Sequence, residues 1–254
     1  MLRVDIQDNL AAVASKLGQL TDRQVRYVVA RAMTDAAKAA QQELKQVTPR
    51  YIDRPVPFTL NSTYVRFASP SKLVVEVGFK EFASKGTPAG KYLQPMISGG
   101  GRRLKSTERQ LQSRGLLPTG SYIIPTGVYP LRLNQYGNLS GGTYTQVLSR
   151  LRGFGEQGYT ANVSGSARSQ AKRRERDYFI GRPGGLPLGI YARVGRRPRS
   201  GGLPQGFHTV FYVTRQPRYS PTFPVPHILE STFTRSFSVL LQSGLQAELA
   251  RHFS

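Results

Sequence analysis

Hydrophobic positions recur at helical spacing in two long segments, one near each end of the chain. The first is "VRYVVARAMTDAAKAAQQELKQV", in which apolar residues recur every three or four positions, at Val25, Val28, Val29, Ala32, Ala36, Ala39 and Leu44. Thr21 and Gln24 match a capping box at its start, and Pro49 is expected to end it. The second segment has one apolar face, formed by Ile228, Leu229, Phe233, Phe237, Leu240, Leu241, Leu245 and Leu249. The pattern predicts two long amphipathic helices.

Shorter segments alternate between apolar and polar residues, as strands do. "TYVRFAS" and "KLVVEVGF" are separated by Pro70 and Ser71, which predicts a hairpin with Val65 and Phe67 on one face. "LRVDI" near the start is a further strand candidate, and later candidates are "SYIIP", "LGIYARV" and "TVFYVT". "NLAAVASKLGQL", before the first long helix, predicts a short helix.

The order of these elements predicts an α+β fold class. We expect an antiparallel sheet packed by an N-terminal and a C-terminal helix, with a long irregular middle rich in Gly and Arg. The 254 residues then form one domain, 1–254, in which residues 85–178 are an extended loop or arm insertion. The pattern differs from the strand–helix alternation of nucleotide-binding α/β folds.

Composition excludes several kinds of site and points to a polyanionic partner. The chain has no Cys, which excludes disulfides, thiolate metal sites and cysteine nucleophiles. No apolar run approaches the roughly 20 residues of a membrane helix, and the N-terminus is unlike a signal peptide, so we expect no membrane partner. The formal net charge is +22, and residues 101–220 carry 20 basic but only four acidic side chains. Such a charge attracts nucleic acid or an acidic protein surface.

The stretch "GTPAGKYLQP" superficially resembles a phosphate-binding loop. A P-loop has four residues between its first Gly and the Gly-Lys pair, followed by Ser or Thr. Here three residues separate Gly86 and Gly90, and Tyr92 follows Lys91. Pro88 also removes one backbone donor. The sequence therefore predicts a turn that leads into a short helix, without a nucleotide cofactor.

Candidate catalytic residues are sparse. His208, His227 and His252 share no metal-ligand spacing with carboxylates, and the 14 acidic residues are scattered along the chain. The closest acidic pair, Glu175 and Asp177, lies inside the basic run "KRRERDYF", which suggests ion pairs within that run. We expect a protein that is not an enzyme and that has no catalytic, cofactor-binding or metal-binding residues. A hydrolase or nuclease that uses dispersed acids and His208 is the minor alternative.

Basic clusters are the strongest chemical signal in the sequence. Arginine predominates in them, which favours planar, bidentate contacts to phosphates or carboxylates. These clusters are candidates for polyanion binding or for an interface between subunits, two alternatives that the sequence leaves open. The candidate residues are Arg102, Arg103, Lys105, Arg109, Arg168, Lys172, Arg173, Arg174, Arg176, Arg193, Arg196, Arg197 and Arg199.

Several short motifs follow one another in an informative order. After the alanine-rich helix, which ends in "QVTPR", come "DRPVPFTLNSTYVRFAS", "GTPAGKYLQPMISGGGRRLKSTE", "LNQYGNLS", "RRERDYFIG", "GIYARV" and "FYVTRQPRYSPTF". Together with the closing amphipathic helix, this succession resembles the minor tail protein Z family of lambda-type bacteriophages, itself related in outline to tail-completion or neck proteins. The chain departs from that pattern in its length and in the basic stretches around Lys172 and Arg196.

The resemblance implies a virion structural protein at the head-proximal end of a phage tail, assembled in the host cytoplasm. Its implied partners are copies of itself in a homo-oligomeric ring and other neck and tail proteins, such as the connector or adaptor and the tail terminator or tube. The backbone of the genomic DNA is a further candidate partner. The alternative function is a free nucleic-acid-binding protein without sequence specificity, whose affinity falls steeply with salt.

Overall fold

The chain folds into two compact units. The computed structural model describes residues 1–5, 21–84, 86–127, 133–155, 161–168, 177–194 and 206–253. The first unit comprises Met1–Gly100 and Ser220–Ser254, and the second comprises Gly101–Tyr219. This differs from the single domain 1–254 with an extended arm at 85–178 that we expected. The reason is that short helices and strands of the second unit bury apolar side chains around a core of their own.

The first unit contains two long helices, a three-stranded sheet and three short helices. In chain order its elements are β1 (Leu2–Asp5), α1 (Asp22–Tyr51), α2 (Pro57–Leu60), β2 (Thr63–Arg66), β3 (Val74–Phe79), α3 (Ala89–Tyr92), α4 (Gln94–Ser98) and α7 (Val225–Phe253). The predicted strand in "LRVDI" is confirmed as β1. The short helix predicted in "NLAAVASKLGQL" lies outside the described residues.

Helix α1 begins at the predicted capping box. The Thr21 hydroxyl accepts a hydrogen bond from the Gln24 backbone N–H at 3.3 Å, and the Gln24 side chain accepts one from the Thr21 N–H at 2.9 Å. The helix continues through Pro49 to Tyr51, two residues beyond the predicted end. Proline is tolerated there because only the last turn remains to be formed, and the Ile52 N–H donates to the Thr48 carbonyl to close that turn.

The sheet of the first unit has the strand order β1-β3-β2, with both pairs antiparallel. The predicted hairpin is confirmed, since Val65 of β2 lies opposite Val77 of β3. Ser69 and Lys72 exchange two backbone hydrogen bonds of 2.9 Å around Pro70 and Ser71. This two-residue turn fixes the register of the hairpin.

Helices α1 and α7 pack against each other and against this sheet. Ala36, Ala37 and Ala40 of α1 are completely buried, and these small side chains allow close packing. Leu229 and Phe233 of α7 are buried in the same core, and the rest of its predicted apolar face is partly buried against it. The predicted α+β class, the antiparallel sheet and the packing of the N-terminal and C-terminal helices are therefore confirmed.

The second unit is built on a four-stranded antiparallel sheet. Its elements are α5 (Ser106–Ser113), β5 (Tyr122–Pro125), α6 (Gly141–Arg150), β6 (Asp177–Gly181), β7 (Gly189–Val194) and β8 (Gly206–Thr214). Two further short strands, β4 (Gly100–Gly101) and β9 (Arg218–Tyr219), form a separate two-stranded sheet. The sheet order is β5-β8-β7-β6. The strands predicted in "SYIIP", "LGIYARV" and "TVFYVT" are confirmed as β5, β7 and β8.

One face of the four-stranded sheet is covered by its own core. Ile123, Ile190 and Phe211 of the sheet pack with Leu111 of α5 and Leu148 of α6. Each of these five side chains is buried. Residues 106–113 and 141–150, which we expected to belong to an irregular arm, are thus helices that cover one face of a sheet.

Candidate functional site

The thirteen basic residues predicted as a polyanion-binding or interface site fall into two groups. Arg102, Arg103, Lys105, Arg109, Arg168 and Arg193 lie in the described part of the chain. The others lie outside the described residues, namely Lys172, Arg173, Arg174, Arg176, Arg196, Arg197 and Arg199.

Arg102 forms a buried ion pair with Glu108. Its Nη1 and Nη2 atoms donate to Oε2 and Oε1 of Glu108 at 2.8 and 2.5 Å, and its side chain is 16% exposed. Nη2 also donates to the Ile123 carbonyl at 3.2 Å, and the guanidinium carbon lies 4.6 Å from the centre of the Tyr122 ring. This arrangement leaves little of the guanidinium for a partner molecule, so Arg102 has a structural role in the second unit.

Glu108 is the centre of this cluster and is completely buried. Its carboxylate also accepts hydrogen bonds from the backbone N–H groups of Lys105 at 2.6 Å and Ile123 at 2.8 Å. Burial alone would raise the pKa of Glu108, but the hydrogen bonds from Arg102, Ile123 and Lys105 lower it below its ordinary value. The carboxylate thereby joins the start of α5 to strand β5.

The remaining candidates of the first cluster are exposed to solvent. Lys105 is exposed, and its Nζ lies 5.7 Å from the centre of the Tyr144 ring. Desolvation and the charge of Arg102 lower the pKa of Lys105, and Glu108 opposes this shift. Arg103 and Arg109 are also exposed. Arg168, from the second cluster, is exposed as well.

Arg193 is paired with a carboxylate across two strands of the second unit. Its Nη1 donates to Oδ2 of Asp177, the residue opposite it in the β6–β7 pair. Its guanidinium carbon lies 4.6 Å from the centre of the Phe179 ring. We expected Asp177 to form ion pairs within the run "KRRERDYF", whose basic residues lie outside the described residues. Antiparallel pairing brings Asp177 to Arg193, which lies outside that run.

Aromatic side chains gather around Arg193 on the face of the four-stranded sheet opposite its core. The rings of Phe179 and Tyr191 stack with their centres 5.6 Å apart, and Phe207 meets both rings edge to face at 6.3 and 5.7 Å. Tyr212 lies on the same face and is 54% exposed. Basic and aromatic groups therefore adjoin one another on this face, where Phe207 and Tyr212 are exposed and Tyr191 is buried.

The loop "GTPAGKYLQP" has the geometry of a turn before a short helix, as predicted. Pro88 precedes the four-residue helix α3, and Gly86 has a positive φ of 76°. The Gly90 N–H donates to the Lys80 carbonyl at 3.0 Å, and a Cβ at Gly90 would lie 3.0 Å from that oxygen. Gly90 is therefore required for close backbone packing against the end of β3.

Over the described residues, no group of three or more His, Asp or Glu side chains is arranged to hold a metal ion. In the same part of the chain, no helix combines the length and apolar character needed to cross a membrane.

Comparisons of the chain with protein-family models, with curated proteins and with solved structures found no match. The resemblance to phage tail proteins thus rests on the order of the sequence motifs and stays a prediction.

Sequence reasoning missed two features of the second unit. The first is Glu108, a single acidic residue within a basic run and three residues after Lys105, where the start of a helix commonly uses Glu to accept from the backbone. The second is the aromatic face, for which the alternation in "DYFIG" was the available signal. Both were obscured by the high charge of the neighbouring residues.

Proposed function

We propose that the chain is a virion structural protein of a tailed bacteriophage, a ring-forming neck or tail-completion component that joins the tail to the head–tail connector. The observation that carries this proposal is the ordered succession of motifs, because most of them coincide with structural elements. "DRPVPFTLNSTYVRFAS" covers α2 and β2, "GTPAGKYLQPM" covers α3 and the start of α4, and "FYVTRQPRYSPTF" leads toward α7.

The architecture of the first unit supports such a role. A ring subunit needs a rigid frame, since its neighbours are positioned by its geometry. Helices α1 and α7 approach so closely that a Cβ at Gly244 would lie 2.9 Å from Cγ1 of Val28. Close packing of this kind keeps two long helices in one arrangement.

Exposed apolar side chains on the first unit supply candidate contacts for neighbouring subunits. Phe82 is 83% exposed, and Phe58 is also exposed beside the same groove, which has a volume of about 620 Å³. On another part of the surface, Tyr27 and Phe67 line a second groove. Exposed aromatic anchors of this kind are typical of protein interfaces.

The decisive experiment removes the gene product from the phage or prophage that encodes it. We expect separate heads and tails in electron micrographs of the lysate, and recovery of joined particles when the chain is supplied from a plasmid. Joined, infectious particles in the absence of the chain would overturn the proposal.

The same complementation assay tests the basic run that lies outside the described residues. One plasmid carries Lys172, Arg173, Arg174 and Arg176 replaced together by Ser, and a matched plasmid carries Arg173, Arg174 and Arg176 replaced by Lys, which preserves the charge. We expect the Ser variant to lower the joined fraction and the Lys variant, which keeps the charge but not the bidentate guanidinium contacts, to restore only part of it. Joined, infectious particles at the level of the original chain with the Ser variant would exclude a role for this run.

A further inference from the structure

The first unit carries exposed aromatic side chains toward opposite ends of its β2–β3 hairpin. Phe67 follows β2 near the turn at 69–72 and is 64% exposed, whereas Phe82 follows β3 and is 83% exposed. The strands are antiparallel, so β3 ends beside the start of β2, where Phe79 lies opposite Thr63. The four residues from Thr63 to Phe67 span about 13 Å of strand. The grooves beside Phe67 and Phe82 share no lining residue, so Phe82 does not occupy the Phe67 groove of its own chain.

The groove beside Phe67, which we call the aromatic groove, lies between α1 and residues 67–70. Tyr27 and Phe67 line it, and both are exposed. The Thr34 hydroxyl accepts a hydrogen bond from the Ala68 N–H at 3.2 Å, which holds residues 67–70 against α1. Its volume of about 440 Å³ lies within the roughly 300–1,000 Å³ of pockets that hold small organic groups. The groove is therefore preformed and large enough for an aromatic side chain.

The aromatic groove has an excess of positive charge. Lys38 Nζ lies 3.0 Å from Oδ1 of Asp35 and 5.4 Å from the centre of the Phe67 ring. Arg31 Nε lies 4.0 Å from the other oxygen of the same carboxylate, and the Arg31 side chain is 71% exposed. Among the residues that line the groove, one carboxylate thus faces two cations. Arg31 is the cation with the weaker ion pair, so it is available to a second carboxylate.

A carboxylate adjoins Phe82 at the other end of the hairpin. Glu81 is exposed and makes no ion pair among the described residues. Its Cγ would lie 3.1 Å from a Cβ at Gly90, so its side chain lies against α3. Lys80 is also exposed at this end, and the attraction to a positive groove therefore depends on Glu81. Because consecutive Cα atoms are about 3.8 Å apart, Glu81 and Phe82 can enter one contact together.

We propose that Phe82 of one copy of the chain inserts between Tyr27 and Phe67 in the aromatic groove of a second copy. In the same contact, Glu81 pairs with Arg31 of that second copy. This inference deepens the proposed ring-forming role and rests on it, since a ring of identical subunits joins two different patches of each subunit. Copies with a net charge of +22 repel one another, so a contact between copies requires an acidic group opposite a cation. Buried aromatic side chains commonly anchor such interfaces.

The geometry of the contact can be tested with introduced cysteines, because the chain contains no Cys. Ser84→Cys places a thiol near Phe82, and Ser71→Cys places one beside the aromatic groove; both serines are exposed. The variants are treated with a short bismaleimide at about 0.15 M salt, which screens repulsion beyond about 8 Å. We expect cross-linked dimers when the two variants are mixed, and few when each is treated alone. The variant with both substitutions is expected to give a ladder of larger oligomers.

The contribution of each contact is measured by sedimentation velocity over a range of chain concentrations. We expect Phe82→Ala to weaken self-association roughly 30-fold or more, as the loss of a central aromatic anchor does. Glu81→Arg and Arg31→Glu are each expected to weaken it, and their combination is expected to restore most of it. Glu230→Arg is the matched control, since it makes the same charge change at an exposed residue of α7, and it is expected to leave self-association nearly unchanged.

Four outcomes would overturn this contact. The first is cross-linking of either cysteine variant with itself as readily as with the other, which would indicate a two-fold contact. The second is unchanged self-association in Phe82→Ala when its circular dichroism and melting temperature match those of the original chain. The third is failure of the combined charge exchange to restore self-association. The fourth is a chain that stays monomeric at every concentration, which would assign the aromatic groove to a different protein.

The failure of this contact can be distinguished from the failure of the proposed function. The cross-linking and sedimentation experiments use the purified chain and do not measure whether heads and tails join. Separate heads and tails in the absence of the chain, together with any of the four outcomes above, would retain the role in joining and reject the contact. Joined particles in the absence of the chain would reject the role in joining whatever the purified chain does.

Discussion

Replacing Glu108 by Gln is expected to destabilise the second unit by about 3 kcal/mol. Each oxygen of the Glu108 carboxylate accepts two hydrogen bonds, one from the Arg102 guanidinium and one from the backbone N–H of either Ile123 or Lys105. An amide group in this place has one oxygen and one NH2. Whichever way the amide is oriented, two of the four surrounding N–H donors face its NH2 group, which cannot accept a hydrogen bond. Arg102 also loses its counter-charge.

The magnitude follows from the burial of the pair. Removing one partner of a buried ion pair costs about 3–5 kcal/mol, because the other charge is left without compensation. Glu108 is completely buried, but the Arg102 side chain is 16% exposed and water can solvate part of it, which favours the lower end of this range. A loss of about 3 kcal/mol corresponds to roughly 150-fold more frequent opening of the affected segment.

Hydrogen exchange measured by mass spectrometry localises this effect. We expect amides of residues 106–125 to exchange roughly 150-fold faster in Glu108→Gln, while amides of α1 exchange as before. Arg109→Gln, which removes an exposed charge from the same helix, is the control and is expected to change stability by less than about 0.5 kcal/mol. Unchanged exchange over 106–125 in Glu108→Gln would refute the claim that the buried pair stabilises this unit.

Three further predictions concern stability. Because the folded pKa of Glu108 lies below its ordinary value of 4.5, its stabilising contribution is complete above that pH and is lost as the pH falls through the folded pKa. The protection of amides 106–125, measured relative to their intrinsic exchange rates at each pH, should therefore decrease below about pH 4.5, and less so in Glu108→Gln. Gly90→Ala is expected to cost about 1–3 kcal/mol in chemical denaturation, since the new Cβ would lie 3.0 Å from the immobile Lys80 carbonyl. Gly244→Ala is expected to destabilise the chain, because its Cβ would meet a Val28 methyl at 2.9 Å, but to stabilise a Val28→Ala variant by up to about 1 kcal/mol through helix propensity. The same sign of the Gly244→Ala effect in both backgrounds would contradict the steric explanation.

The first unit was largely predictable because its signals are local. The capping box at Thr21, the apolar faces of α1 and α7 and the alternation in β2 and β3 each depend on residues close together in the chain. The second unit was not predicted as a compact body. Its helix α5 has one completely buried apolar residue, Leu111, and is held by tertiary contacts that no short window of sequence displays.

The sequence shows which residues of the clusters are basic, but it does not show which of them are available to bind a partner. Sequence reasoning treated Arg102 and Arg193 as available cations, yet each is paired with a carboxylate and lies over an aromatic ring. Their partners are six and sixteen residues away, and they meet only because a helix begins at Ser106 and because β6 pairs with β7. Pairing of this kind depends on the three-dimensional fold, and the number of charged residues along the chain does not reveal it.

These internal pairs determine which substitutions can test polyanion binding. Residues 101–220 carry four acidic side chains, and two of them, Glu108 and Asp177, form ion pairs with Arg102 and Arg193. Replacing either arginine would leave a carboxylate without its partner, so a loss of binding could not be distinguished from a loss of structure. The exposed Arg103 and Arg109 make no ion pair among the described residues, and their replacement by Ser removes charge while the Glu108 cluster stays intact. A change in nucleic-acid affinity or in head–tail joining that follows these two exposed residues therefore reports on surface charge.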